Sequence, residues 1–144
     1  MTHGRGRRLA FDYGQVRIGV AVCDPDAILA TPLPHLISSH PKVMREILAL
    51  LEEYQPISIF VGYPKLMSGE NGQSVSLVDS FIDSLKEITE VPIITIDERL
   101  STVDATRKLR DAGKTSKQSR TLVDSMAAVT ILESGLAYER GTNP

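Results

Sequence analysis

The segment LAFDYGQVRIGVAVC, residues 9–23, decides the fold of this 144-residue chain. Its first five residues alternate large apolar side chains with Ala10 and Asp12, which is the pattern of a β-strand. Residues 14–17 are typical of a tight turn, and the small and β-branched residues after them predict a second strand over 18–23. The segment therefore predicts an antiparallel hairpin. It also places Asp12 within an apolar strand, where aspartate is uncommon.

Beyond the hairpin the chain alternates between strand and helix patterns. Pro32 and Pro34 interrupt the third predicted strand, and because proline cannot donate to a strand ladder, we expect this strand to lie at an edge of the sheet or to be irregular. Helices that separate later strands imply parallel pairing, so the fold class is α/β, with a mixed five-stranded sheet flanked by helices. The predicted elements after the hairpin are strands over 31–38, 57–61 and 93–96 and helices over 43–54, 73–89, 101–112 and 120–138.

Length and composition predict a single domain over residues 1–144, with a basic tail at 1–7 and a C-terminal tail at 139–144. Cys23 is the only cysteine, which excludes an intramolecular disulfide and a zinc site built from several thiolates. There is no signal-peptide pattern and no apolar run near the roughly 18 residues of a membrane span. We therefore expect a cytoplasmic protein without a membrane partner.

Charge is distributed unevenly along the chain. The formal net charge is −2, yet residues 99–120 carry seven basic and two acidic side chains, a net charge of +5. A basic face on an acidic body is one footprint of phosphate binding. A solvated helix face with charge partners one turn apart gives the same composition, and composition alone favours that second interpretation.

Four acidic side chains occur at positions that suggest a shared site. Asp12 lies in the first strand, Asp97 and Glu98 end the strand over 93–96, and Asp124 lies on the apolar side of the last helix. Each also has a structural explanation, namely hydrogen bonds to a turn, solvation of a strand end, or stabilisation of a helix N-terminus. Adjacent strand residues point to opposite faces, so at most one of Asp97 and Glu98 can share a face with Asp12.

Taken together, these acids favour a metal site. Ligands of open α/β sheets gather at one edge of the sheet, and carboxylates clustered there repel one another unless a divalent cation neutralises them. Mg²⁺ prefers oxygen ligands and leaves part of its shell to water and substrate phosphate, and Mn²⁺ is the alternative ion. Such ions can activate water for the hydrolysis of phosphodiesters.

Several motifs resemble one protein family over residues 9–136. The motifs are FDYG at 11–14, RIGVA at 17–21, VGYP at 61–64, DERLST at 97–102 and VDSMAA at 123–128. They are similar to those of the YqgF family, also called RuvX, which is described as Holliday junction resolvases and as nucleases that mature the 5′ end of small-subunit ribosomal RNA. The DERLST block in this order is the most specific of them.

The resemblance implies a ribonuclease-H-like fold with a catalytic and metal-binding triad. The triad would fall on Asp12, Glu98 and Asp124, and the loop at 68–72 would face the substrate. The predicted activity is a Mg²⁺-dependent endonuclease that processes the 5′ end of pre-16S ribosomal RNA, as a monomer or weak homodimer. Cations at the mouth of the site are candidates for phosphate contacts, and they are Arg17, Arg99, Lys114, Lys117 and Arg120.

Three other functions remain open at this point. Resolution of Holliday junctions would require a dimer, because two strands are cut symmetrically. A non-catalytic nucleic-acid-binding module would use the carboxylates for structure alone. In a sugar kinase or an actin-like ATPase, residues 12–14 would form a phosphate loop. Those folds need two such domains, which 144 residues cannot supply.

Overall fold

The computed structural model describes residues 5–64, 73–97 and 125–141. In this part of the chain we number five strands and three helices. The strands are β1 (Arg8–Tyr13), β2 (Arg17–Cys23), β3 (Ala30–Ile37), β4 (Ser58–Tyr63) and β5 (Ile93–Asp97). The helices are α1 (Val43–Tyr54), α2 (Gln73–Ile88) and α3 (Met126–Gly141).

The strands form one mixed sheet in the order β3-β2-β1-β4-β5. The β1–β2 and β2–β3 pairs are antiparallel, whereas β4 pairs in parallel with both β1 and β5. The predicted hairpin, the mixed five-stranded sheet and the edge position of the proline-containing β3 are confirmed. β1, which carries Asp12, is the central strand.

The sheet is covered on both faces by helices. One face packs against α1 and α2 through large side chains such as Phe11, Ile18 and Leu85. The other packs against α3 and is lined by smaller residues, including Ala10, Ala21 and Ala128. We call these the α1/α2 face and the α3 face.

Small residues allow α3 to lie close to the sheet. At Gly135 a Cβ atom would come within 2.6 Å of the Phe60 ring, far closer than carbon atoms pack. Helix α3 therefore approaches β4 over a glycine.

Several predicted boundaries are wrong. The last helix was expected over 120–138, but Ser125 lies in a turn, α3 begins at Met126 and it continues to Gly141. The supposed tails also contribute to the fold: the Gly6 amide donates to the Pro25 carbonyl at 2.8 Å, and the buried Glu139 belongs to α3. Long-range contacts hold both segments, and such contacts leave no local pattern in the sequence. The helix predicted over 101–112 lies outside the described residues.

Candidate active site

Asp12 lies near the end of β1, at the centre of the sheet, and is half-buried. It is paired with Gly19 of β2. Its neighbours Phe11 and Tyr13 pack on the α1/α2 face, whereas Ala10 packs on the α3 face. Since side chains alternate along a strand, Asp12 shares the α3 face with Ala10.

The turn after Asp12 is held by hydrogen bonds. The Gly14 amide donates to the Arg17 carbonyl at 2.9 Å, and the Ser38 hydroxyl donates to the Gly14 carbonyl at 2.6 Å. A Cβ at residue 14 would lie only 2.8 Å from the Arg17 carbonyl oxygen, so the close approach requires glycine. Arg17, one of the predicted phosphate contacts, is exposed at the start of β2.

Asp97 ends β5, and its register places it on the face opposite to Asp12. It pairs with Tyr63, whose side chain packs on the α1/α2 face, while Ile94 and Ile96 pack on the α3 face. Because side chains alternate along a strand, Asp97 therefore belongs to the α1/α2 face. The strand register thus separates Asp97 from Asp12, while Glu98 lies outside the described residues.

Ser125 precedes α3 and ties this helix to the sheet. Its hydroxyl accepts a hydrogen bond from the Val20 amide at 3.0 Å and donates one to the Leu33 carbonyl at 2.5 Å. The side chain is completely buried. Sequence reasoning did not single out this residue; its only signal was membership of the VDSMAA block.

Most of the predicted site residues lie outside the described part of the chain. These residues are Glu98, Asp124, Arg99, Lys114, Lys117, Arg120 and the loop at 68–72. Within residues 5–64, 73–97 and 125–141, no group of three or more His, Cys, Asp or Glu side chains could hold a metal ion. Of the predicted triad, the structure therefore describes Asp12 alone.

The two tyrosines near the strand ends have packing roles. Tyr13 stacks on Phe81, with the ring centroids 4.7 Å apart. The Tyr63 hydroxyl donates to a carboxylate oxygen of Asp79 at 2.9 Å, and this hydrogen bond raises the pKa of the tyrosine. Both side chains pack against the α1/α2 face.

A buried ion pair lies at the far end of α3. Arg8 Nη2 is 3.0 Å from Glu139 Oε1, and the two side chains are only 4% and 6% exposed. Arg8 Nη1 also donates to the Gly6 carbonyl, and the Arg8 amide donates to the Cys23 sulfur. Burial raises the pKa of the Cys23 thiol, so the thiol is an unreactive packing group.

The family comparison decides the identity of the chain. The RuvX family, described as Holliday junction resolvase, matches residues 6–138. The chain belongs to the RuvX family. Among curated relatives, this RuvX-family chain is 45% identical over 138 residues to a Streptomyces coelicolor protein named "Putative pre-16S rRNA nuclease", covering 94% of this chain and 83% of the relative. A Rhodococcus erythropolis protein of the same name is 41% identical over 139 residues, covering 92% and 78%.

Solved structures show the fold. The RuvX-family chain superposes on Thermus thermophilus RuvC, solved in complex with a Holliday junction substrate, with a TM-score of 0.58 and 16% identity, covering 94% of this chain and 97% of RuvC. A second Thermus thermophilus RuvC structure gives a TM-score of 0.57 at the same identity and coverage. RuvC has a ribonuclease-H-like fold, so the predicted fold class is confirmed.

Family membership confirms the predicted enzyme class. The RuvX-family chain is a nuclease, a hydrolase of phosphodiester bonds, and nucleic acid is its substrate class. Enzymes of this group generally use divalent metal ions. Among the described residues, no helix has both the length and the apolar character needed to cross a membrane.

Proposed function

We propose that this protein is a Mg²⁺-dependent endonuclease that processes the 5′ end of pre-16S ribosomal RNA in the cytoplasm. Asp12, Glu98 and Asp124 are its metal ligands, with Mn²⁺ as an alternative ion. The naming of the Streptomyces and Rhodococcus relatives supports the RNA substrate. The location of Asp12 on the α3 face of the central strand is the observation that carries the site assignment.

The sequence neighbours of the described residues support the remaining ligands. Ser125 follows Asp124 directly, and its hydroxyl is bonded to Val20, whose neighbour Gly19 pairs with Asp12. Glu98 follows Asp97, which by strand alternation belongs to the α1/α2 face. If β5 continued by one residue, Glu98 would belong to the α3 face, as Asp12 does. Both inferences lead from separate parts of the chain to the same region of the α3 face.

The donor chemistry fits a hard divalent cation. All three proposed ligands supply carboxylate oxygens, and Mg²⁺ prefers oxygen donors. Asp12 is half-buried on a face lined by alanine and isoleucine, where burial of a carboxylate is unfavourable and a bound cation would stabilise its charge. When bound, the cation supplies charge to the scissile phosphate and lowers the pKa of the attacking water.

The chain's own residues hold and orient the substrate. Asp12, Glu98 and Asp124 would hold the cation, which would supply the positive charge that keeps the phosphodiester within reach of the attacking water. Arg17, exposed at the start of β2, contacts a backbone phosphate, together with Arg99, Lys114, Lys117 and Arg120. These contacts orient the nucleic acid and do not read its sequence.

A cleavage assay tests the proposal. Purified protein is offered a 5′-extended 16S precursor RNA and a four-way DNA junction, each with Mg²⁺, Mn²⁺ or a chelator. We expect metal-dependent cleavage of the RNA and a loss of about 100-fold or more in Asp12→Asn. The melting temperature of Asp12→Asn is measured alongside, and a value close to that of the native protein shows that the loss of cleavage does not come from unfolding. Normal turnover by this variant would refute the site assignment.

The adjacent acids provide a matched pair of variants. Glu98→Gln should abolish cleavage, whereas Asp97→Asn, on the opposite parity, should retain the rate within about threefold. The reverse result would show that the ligand assignment is shifted by one residue. The pair thus tests the register argument separately from the reaction.

The same assay separates the alternative functions. The family's description as Holliday junction resolvase favours DNA as the second candidate, which would show as symmetric junction cleavage by a dimer. We propose instead a single ribonuclease-H-like unit acting as a monomer or weak homodimer. Tight binding of RNA without cleavage under any metal would indicate a non-catalytic module.

A further inference from the structure

The β2–β3 ladder changes register close to Asp12. Ile18 pairs with Leu36, whereas Val20, two residues later, pairs with Leu33, so β3 contains one extra residue at this point. Such a β-bulge leaves the ladder locally disrupted. Pro34 lies within the bulged stretch and has no amide hydrogen to offer.

The Ser125 hydroxyl occupies this irregularity. It accepts from the Val20 amide at 3.0 Å and donates to the Leu33 carbonyl at 2.5 Å, so the side chain of the residue just before α3 links backbone groups of two paired strands. A hydroxyl has one hydrogen to donate and can also accept, and here both capacities are used. Serine is the shortest side chain that can make this link.

Ser125 is also fixed to α3. Its carbonyl accepts a hydrogen bond from the Val129 amide at 3.0 Å, so the residue belongs to the first hydrogen-bonded turn of the helix. Ser125 therefore joins three elements: β2, β3 and α3. The partners lie 105 and 92 residues away in sequence.

We propose that Ser125 is a positioning residue for the nuclease reaction, and this inference rests on the proposed function. By fixing the start of α3 at Val20, it fixes the attachment point of the Asp124 carboxylate, since consecutive Cα atoms are about 3.8 Å apart. Val20 is adjacent to Gly19, the partner of Asp12 in the β1–β2 ladder. Ser125 thus sets the separation of two metal ligands without touching the substrate.

The expected effect is on metal use and rate. Displacement of a reacting group by about 1 Å can reduce a rate by about 100-fold. Loss of the hydroxyl should therefore lower kcat by roughly 10- to 100-fold and raise the Mg²⁺ concentration for half-maximal rate by about tenfold. The KM for RNA should stay within about twofold, because the phosphate-binding cations are unchanged.

The experiment compares Ser125→Thr with Ser125→Val, two variants of the same shape that differ in the hydroxyl. Both are assayed for kcat, KM and Mg²⁺ dependence on precursor RNA, and Mn²⁺ binding without RNA is measured by electron paramagnetic resonance. We expect the threonine variant to keep the native metal requirement and the valine variant to lose it. Ser125→Ala, which adds no volume, serves as a second variant without the hydroxyl.

Glu139→Gln is the control for a general loosening of α3. It weakens the ion pair with Arg8 at the other end of the same helix, away from Asp12. Well below its melting temperature, this variant should keep the native kcat and Mg²⁺ requirement within about twofold. A valine or alanine variant that matches this control in kcat and metal requirement would overturn the proposal.

The remaining outcomes are also decisive. If no hydroxyl-free variant folds, Ser125 acts in folding and the positioning role is wrong. If the native protein cleaves without divalent metal, or if Asp12→Asn stays active, the proposed function fails first. Loss of activity in Asp12→Asn with full activity in Ser125→Ala would leave the function intact and refute only the role of Ser125.

Discussion

The two faces of the sheet are packed by different means. The α1/α2 face is filled by large apolar side chains, including the aromatic pairs of Phe81 with Phe11 and Tyr13. The α3 face is lined by small residues and holds buried polar groups at both ends of the helix, Ser125 at one and the Arg8–Glu139 pair at the other. Asp12 lies on this second face. We infer that the α1/α2 face mainly stabilises the fold, whereas the α3 face mainly positions the residues of the site.

The largest expected effect on stability lies on the α1/α2 face. Leu85 is completely buried there, and Leu85→Ala should reduce the free energy of unfolding by about 2–5 kcal/mol through lost burial and a cavity. Denaturant unfolding measures the loss. The kcat of the folded variant should remain native within about twofold. A large fall in kcat would show that packing on the α1/α2 face also positions the residues of the site.

The ion pair at the end of α3 should give the next largest effect. Glu139→Gln leaves the buried Arg8 guanidinium without a countercharge, which should cost about 3 kcal/mol. Replacing both residues, Arg8→Met with Glu139→Leu, should recover most of this loss because no buried charge remains. Thermal unfolding of the single and double variants tests this, and an equally unstable double variant would contradict it.

Close packing at Gly135 should give an intermediate effect. Gly135→Ala places a Cβ about 2.6 Å from the Phe60 ring, and the resulting overpacking should cost about 1–3 kcal/mol. Adding Phe60→Leu should make room and yield a favourable coupling energy in a double-mutant cycle. The coupling is measured from the unfolding free energies of the native protein, the two single variants and the double variant. If the effects of the two substitutions simply add, the contact between residues 135 and 60 does not limit how closely α3 approaches β4.

The smallest effect lies in the turn between β2 and β3, outside both faces. Hydrogen bonds from the amides of Leu29, Ile28 and Asp26 lower the pKa of Asp24 below its usual value. A lowered pKa in the folded state gives stability above the usual pKa, and this stability is lost as the pH falls through the lowered value. Asp24→Asn should therefore reduce the drop in melting temperature between about pH 7 and pH 3. An unchanged drop would mean that other carboxylates govern acid unfolding.

Local patterns predicted most of the architecture. The alternation in residues 9–13 and the apolar run before Gly62 correspond to β1 and β4, and the period of the helix over 43–54 gives the bounds of α1. Prolines predicted the edge position of β3, since the missing amide is a local property. These features depend on neighbours within a few residues.

Parts of the candidate site could not be predicted in this way. The face of Asp97 follows only from its pairing with Tyr63, which requires the register between β4 and β5. Glu139 was assigned to a C-terminal tail, and its ion pair with Arg8 spans almost the whole chain, so no local pattern could reveal it. Ser125 likewise depends on contacts with β2 and β3. Glu98 and Asp124 stay predictions, since they lie outside the described residues.

The order of the described elements has a consequence for biosynthesis, because α3 follows all five described strands in sequence. A ribosome releases all five strands and both helices of the α1/α2 face before the residues of α3 emerge. Until then, the apolar surface around Ala10, Ala21 and Phe60 has no helix to cover it, and such exposed surface promotes aggregation. A chain interrupted before residue 125 would lack the serine link to Val20. This face closes only once the residues of α3 are present, so an active nuclease cannot appear before residues 125–141 have been made.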